Sequence, residues 1–290
     1  MRRIILLIVL ASVLAGCGPK IKKPEVICAG QADIGAAIAK LSANRANLTS
    51  LKAKYNGRYE YWDERGKHGP DSITTNIRLE PPGNIYVQGD VSIITRAVLL
   101  GSNSDEFWFA MKPKDISRYI WGKWHEEGTS SSNQCMEKLW LGPAVWFEAM
   151  GVITFDANEL ASWRLRRVRG YDVLERRNSD NVVLKRIHVY NCNYEVRKIE
   201  YFDNAGKPIG EATLDKYEPV KGREQWQIPG ELEIKLWARD GVSQRLFIKL
   251  SSGETDQFTD KQRNVFFSRP STKGFETVIR ITGDCEFVRE

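Results

Sequence analysis

Histidine is almost missing from this chain: 290 residues include three, His68, His125 and His188, and they are widely scattered. A histidine-based catalytic or metal cluster therefore has little to draw on. No H-E-x-x-H helix, G-x-S-x-G elbow or P-loop is present either. No two of the five cysteines stand at C-x-x-C spacing, which argues against a zinc site. No apolar run reaches the roughly 20 residues that a membrane-spanning helix needs. The formal charge of +6 is spread over many acids and bases, with no Lys/Arg block interleaved with aromatics. Nucleic acid is therefore not an expected partner. These absences give the expectation of no catalytic residue, no metal and no cofactor.

What the chain does have starts at its first residue. Met1-Arg2-Arg3 precedes an apolar run from Ile4 to Leu14, followed by Leu14-Ala15-Gly16-Cys17-Gly18. This resembles a bacterial lipoprotein signal peptide. The resemblance implies a signal peptide over 1–16, cleavage before Cys17, and lipid attached to Cys17. The mature protein would then be held to a membrane by its N-terminal acyl chains rather than by a helix. Gly18 stands where aspartate typically signals retention in the inner membrane, so the outer membrane, facing the periplasm, is the expected location. Residues 17–28 read as the lipidated N-terminus and a tether, rich in lysine and carrying two prolines. An exported protein occupies an oxidising compartment, so Cys28, Cys135, Cys192 and Cys285 are candidates for disulfides. Four cysteines allow three pairings, all of which stay open.

Hydrophobic periodicity organises the remainder, 29–290, as one domain. Over 29–54, Ile34, Ile38, Leu41, Leu48 and Leu51 fall near one helical face. The period then changes to two. Ile73, Thr75, Ile77 and Leu79 alternate with Thr74, Asn76, Arg78 and Glu80, and further strands are expected over 85–91, 95–100, 106–111 and 117–124. A second helix is expected over 137–150, interrupted at Gly142-Pro143 and apolar around much of its circumference. The second half reads as strands over 163–171, 182–190, 194–202, 208–217, 232–238, 245–250 and 277–281. Arg164 and Arg166 would share one face of their strand and Arg167 and Arg169 the other, as on a solvated edge.

Several stretches carry a family resemblance. They are Leu48-Thr49-Ser50-Leu51-Lys52-Ala53, then Ile77-Arg78-Leu79-Glu80-Pro81-Pro82-Gly83-Asn84-Ile85-Tyr86-Val87, then Leu99 to Phe109, and Gln227-Ile228-Pro229-Gly230-Glu231-Leu232. Together they resemble the LolA/LolB superfamily of lipoprotein carriers and receptors. The resemblance implies a mainly β, α+β fold: an unclosed antiparallel barrel of about eleven strands with a helical lid. It also implies an apolar cavity for acyl chains, with lipid or an acylated lipoprotein as ligand and a periplasmic carrier protein as partner. One departure stands out. The soluble carriers have an arginine before proline in the strand pair matched by Glu80-Pro81-Pro82, whereas here Pro81 takes that place. Candidates for the cavity lining are Tyr59, Tyr61, Ile77, Leu79, Phe107, Phe109, Trp140, Trp146 and Phe147. The same side chains would serve equally as ordinary core packing the lid onto the sheet. The alternative function is thus a non-catalytic envelope lipoprotein with a filled core that docks a protein partner.

Overall fold

A computed structural model describes residues 27–45, 50–63, 66–112, 117–124, 143–238, 241–282 and 286–290. In chain order the first helix is α1 (Ile34–Arg45), followed by six strands: β1 (Leu51–Asp63), β2 (Gly66–Glu80), β3 (Asn84–Val91), β4 (Ile94–Ser102), β5 (Glu106–Met111) and β6 (Arg118–Lys123). After α2 (Pro143–Ala149) come β7 (Trp163–Val168), β8 (Tyr171–Arg177), β9 (Val183–Tyr190), β10 (Val196–Phe202) and β11 (Pro208–Asp215). A short ribbon, β12 (Glu218–Val220) and β13 (Arg223–Ile228), precedes the long hairpin β14 (Glu231–Ala238) and β15 (Gly241–Thr255). The chain finishes with α3 (Asp260–Phe266), β16 (Thr277–Ile281) and β17 (Phe287–Arg289).

Fifteen strands form one sheet, in the order β17-β16-β6-β5-β4-β3-β2-β1-β15-β14-β11-β10-β9-β8-β7. Strands β17 and β7 end it without meeting, so the sheet is not closed into a barrel. The mainly β class and the open sheet agree with expectation, whereas the expected count of about eleven strands is too low: the described residues contain seventeen. Three features depart from the expected pattern. The expected strand over 163–171 ends at Val168, and a turn at Gly170, whose φ of +77° a side chain would strain, leads into the further strand β8. The ribbon β12–β13 stands apart from the main sheet, turning at Gly222. The C-terminal strand β16 joins β6 in parallel, which departs from a purely antiparallel expectation. This needs a long crossover rather than a hairpin.

The first helix also differs from expectation. It spans Ile34–Arg45 rather than 29–54, and Leu51 begins β1. Leu51, Ala53 and Tyr55 alternate with Lys52 and Lys54, and pairing on both sides of β1 outweighs the helical spacing of isolated leucines. The second helix is described from Pro143 onward, a residue suited to the first helical turn because its missing N–H is not needed there. Its earlier part, with Trp140, lies outside the described residues.

Alternation divides each strand between two faces. On β2, Ile73, Thr75, Ile77 and Leu79 are all buried, as their period predicts. They join Leu51, Ile85, Leu174, Ile187, Ile199, Leu232 and Ile248 in one inner core. Ala37 and Leu41 of α1, Trp146 and Phe147 of α2, and Val220, Trp226 and Ile228 of the ribbon fill the same core. Each fully buried Leu or Ile there contributes about 1.5–3 kcal/mol.

Candidate functional site

The inner face of β1–β4 changes character along every strand. At one end Leu51, Leu79, Ile85 and Leu100 are completely covered. Toward the other end, where β1 turns into β2 and β3 into β4, Tyr59, Val91 and Val98 are only half-buried. Antiparallel pairing brings Tyr59, Val91 and Val98 toward the same end of the sheet, while Phe109 pairs opposite Leu100. Tyr59, Val91 and Phe109 are partly buried and pack against the inner core.

Two tyrosines stand at this end. Tyr59 donates its hydroxyl to Gln244 Oε1 at 3.2 Å, and burial, with Tyr61 and Asp71 nearby, pushes its pKa up to about 12. Tyr61 stacks on His68 at 4.5 Å and lies 6.0 Å from the Tyr59 ring. Deeper in, Tyr55 donates to the Pro229 carbonyl at 2.9 Å, and burial raises its pKa strongly. Helix α2 is tied down by Glu148, a buried carboxylate that accepts from Lys185 Nζ at 2.7 Å and from the Tyr201 hydroxyl at 2.6 Å. That tie joins α2 to β9 and β10. Burial first, and the neighbouring carboxylate second, push the Tyr201 hydroxyl well above its ordinary range.

Of the residues expected to line a cavity, Ile77, Leu79, Trp146 and Phe147 come together in the inner core, with Tyr59 and Phe109 at its margin. Phe107 shares a strand face with Phe109, yet it packs in a separate small cluster with Ile281 and Trp124. Sequence reasoning overlooked Val91, Val98 and the Glu148–Lys185–Tyr201 tie. The alternation of β3 and β4 could have supplied the first two. The tie joins residues distant in sequence and leaves no local signal.

The N-terminal segment is fastened at the other wing. Cys28 and Cys192 form a disulfide, which settles one pairing; Cys135 and Cys285 lie outside the described residues, as does Cys17. Around it, the Gln31 N–H donates to Asp172 Oδ2 at 2.7 Å, Arg167 donates to the Gln31 and Ala32 carbonyls, and Asn191 donates to the Cys28 carbonyl. Arg167 is thus spent on the N-terminal segment, while Arg166 pairs with Glu175 across the opposite face of the edge strand β7. Among the described residues no group of three or more His, Cys, Asp and Glu is placed to hold a metal ion. None of the described helices is long and apolar enough to cross a membrane.

No protein-family model and no curated protein matches the sequence. Solved structures similar to it include a LolA superfamily protein from Nitrosomonas europaea, at 14% identity and a TM-score of 0.48, covering 82% of this chain and 99% of that one. Another is a putative outer membrane lipoprotein-sorting protein domain from Vibrio parahaemolyticus, at 10% identity and a TM-score of 0.49, covering 80% and 95%. A DUF1329 family protein from Desulfovibrio piger follows at 7% identity and a TM-score of 0.46, covering 78% and 93%. These neighbours include the superfamily that the sequence resembles. At such identities and scores no residue role is carried across from them.

Proposed function

We propose that this chain is a lipid-anchored envelope protein that takes up lipid, or the acyl part of a lipoprotein, at the half-buried end of its inner face. The observation that carries the reading is the gradient along β1–β4, from Leu51, Leu79 and Ile85, fully covered, to Tyr59, Val91 and Val98, half-covered. An acyl chain suits such an end because it needs apolar lining and length rather than a charged contact. Each methylene withdrawn from water contributes about 0.8 kcal/mol. Uptake is non-covalent, with no bond made or broken, and α2 is the element that shifts to admit the chain. The anchor is the lipid on Cys17, the membrane is the outer one, and a periplasmic carrier protein is the partner that delivers or collects the cargo.

A second reading has its own support. Ile77, Leu79, Trp146 and Phe147 are packed against one another's cluster as an ordinary core, which favours a docking module with a filled interior. Native mass spectrometry on protein purified from a bacterial envelope, before and after organic extraction, separates the two. A non-covalent mass in the lipid range, lost on extraction and restored by added lipid, supports uptake. Protein that stays free of ligand when lipids or acylated peptides are added supports docking instead.

A further inference from the structure

The lipid-bearing N-terminus and the folded body meet at one defined place. Cys28 stands eleven residues after Cys17, a stretch that reaches at most about 40 Å when extended. The disulfide from Cys28 to Cys192 makes the β9–β10 turn the shortest covalent route from Cys17 into the sheet. The β7–β8 turn lies beside it: the Asn191 N–H donates to the Gly170 carbonyl at 3.0 Å, and Tyr171 pairs with Tyr190. Both turns leave the sheet in the same direction, since β7 and β9 each run antiparallel to β8. The side chains around this junction are aliphatic or cationic. Ile27 is 49% exposed and Val168 43%. Arg169 is exposed and forms no ion pair among the described residues. Arg167, also exposed, spends its donors on the Gln31 and Ala32 carbonyls rather than on a carboxylate, and Lys40 of α1 lies over the Tyr194 ring at 4.7 Å. The acids nearby are engaged. Asp172 is fully buried beneath the Gln31 N–H and the Tyr194 hydroxyl, Glu195 pairs with Arg197, and Asp33 accepts from the Ala36 N–H.

Exposed aliphatic side chains among uncompensated cations match a bilayer surface, where anionic headgroups lie over hydrocarbon. We propose that this end of the molecule, with Ile27, Val168 and Arg169 foremost, rests against an anionic lipid surface, so that the anchored protein keeps one orientation instead of swinging on its tether. The inference rests on the reading of Cys17 as the lipid anchor and adds the protein surface that faces the membrane. Ile93, 96% exposed, is the rival contact, but it stands at the β3–β4 turn, which leaves the sheet in the opposite direction. Resting on the β7–β8 and β9–β10 turns therefore points the β3–β4 turn, with half-buried Val91 beside it, away from the membrane. That is the direction from which a carrier protein would approach.

The test places the full-length protein, purified from a bacterial envelope, in vesicles of phosphatidylcholine with or without phosphatidylglycerol, and follows amide hydrogen exchange. Intact mass first reads the lipid on Cys17. Exchange over 168–171 and 191–194 should slow on the anionic vesicles, by about fivefold for each basic residue that reaches the surface, and stay the same over 92–93. Arg169→Ala should remove about a fivefold share of that slowing, while Arg169→Lys should retain it. Neither change should move the urea midpoint, because the Arg169 side chain has no ion pair to lose among the described residues. Equal exchange on both kinds of vesicle, with lipid present on Cys17, overturns this inference and leaves the anchor standing. Slowing confined to 92–93 overturns it as well, since the opposite end would then face the bilayer. A Cys17 without lipid overturns the anchor reading and this inference with it.

Discussion

The two wings of the sheet treat their outer faces in opposite ways. From β1 through β15, β14, β11, β10 and β9 to β8, that face carries a ladder of ion pairs. Arg245 joins Glu233, Lys235 joins Glu211 and Glu233, Lys198 joins Glu211 and Glu200, and His188 Nε2 lies 2.7 Å from Glu200 Oε2. Glu175 then holds Arg166, Arg177 and Arg186 at the edge. The β2–β6 wing places Trp108, Ala110 and Tyr119 outward instead, and these are buried. What buries them is the chain's own C-terminal arm. Phe275 packs against Tyr119, the Tyr119 hydroxyl donates to the Pro270 carbonyl, and Arg269 lies over Trp121. Asn103 donates to the Phe267 carbonyl, while Arg263 of α3 forks onto Glu80, beside the Pro81-Pro82 pair. A capping box of Thr259 and Gln262 starts α3, so the arm's helix has a defined beginning. A polar outer face needs no cover; an apolar one is stable only beneath a strap.

That contrast can be broken most severely under the strap. Trp108→Ala should cost about 3–5 kcal/mol of unfolding free energy, read from urea titration, because the ring is buried between sheet and arm. An effect below about 1 kcal/mol would mean that the arm covers nothing of consequence. The bare wing has a covalent fastening instead. Replacing Cys28 and Cys192 by serine opens a link spanning 164 residues and should cost about 2–5 kcal/mol by the same measurement. An unchanged midpoint would show that the hydrogen bonds around Asp172 hold the N-terminal segment unaided.

Acid should then act on the ladder more than on the strap. The hydrogen bond from His188, helped by Lys198, lowers the Glu200 pKa from 4.5 to about 2 against an opposing desolvation. A depressed carboxylate contributes stability that is fully present above its unfolded pKa and lost as the pH falls through the folded one. Stability from this site should therefore decline between pH 4.5 and about 2. Glu200→Gln should flatten that part of the pH profile, and an unaltered profile would remove Glu200 from the account. The smallest effect belongs to a single rung. Lys235→Ala should change stability by no more than about 1 kcal/mol, and less in high salt, as is usual for solvent-facing pairs. A larger loss would mean that the ladder acts as a coupled network.

Much of the sheet was legible in the residues. Ile73, Thr75, Ile77 and Leu79 announce an inward row, and the structure buries all four. The grouping of Arg164 with Arg166, and of Arg167 apart from them, follows from the same period. Legibility failed where a contact is made far along the chain. Nothing near Leu51 says that two partner strands will draw it out of a helix. Nothing near Thr277–Ile281 says that this strand will pair in parallel with β6. The candidate site was legible only as composition. Phe107 and Phe109 look equivalent in sequence, yet one packs with Ile281 and the other borders the inner core.

By itself the sequence determined the mainly β class, the inward and outward rows of most strands, and the scarcity of groups for histidine or metal chemistry. These follow from side-chain period and residue type, which are local properties. Only the tertiary structure decided that Cys28 pairs with Cys192, that the C-terminal arm roofs one wing, and that Thr75 and Trp163 are left without partners. Burial and hydrogen-bond satisfaction depend on what distant parts of the chain bring to a residue, and a linear pattern does not contain that.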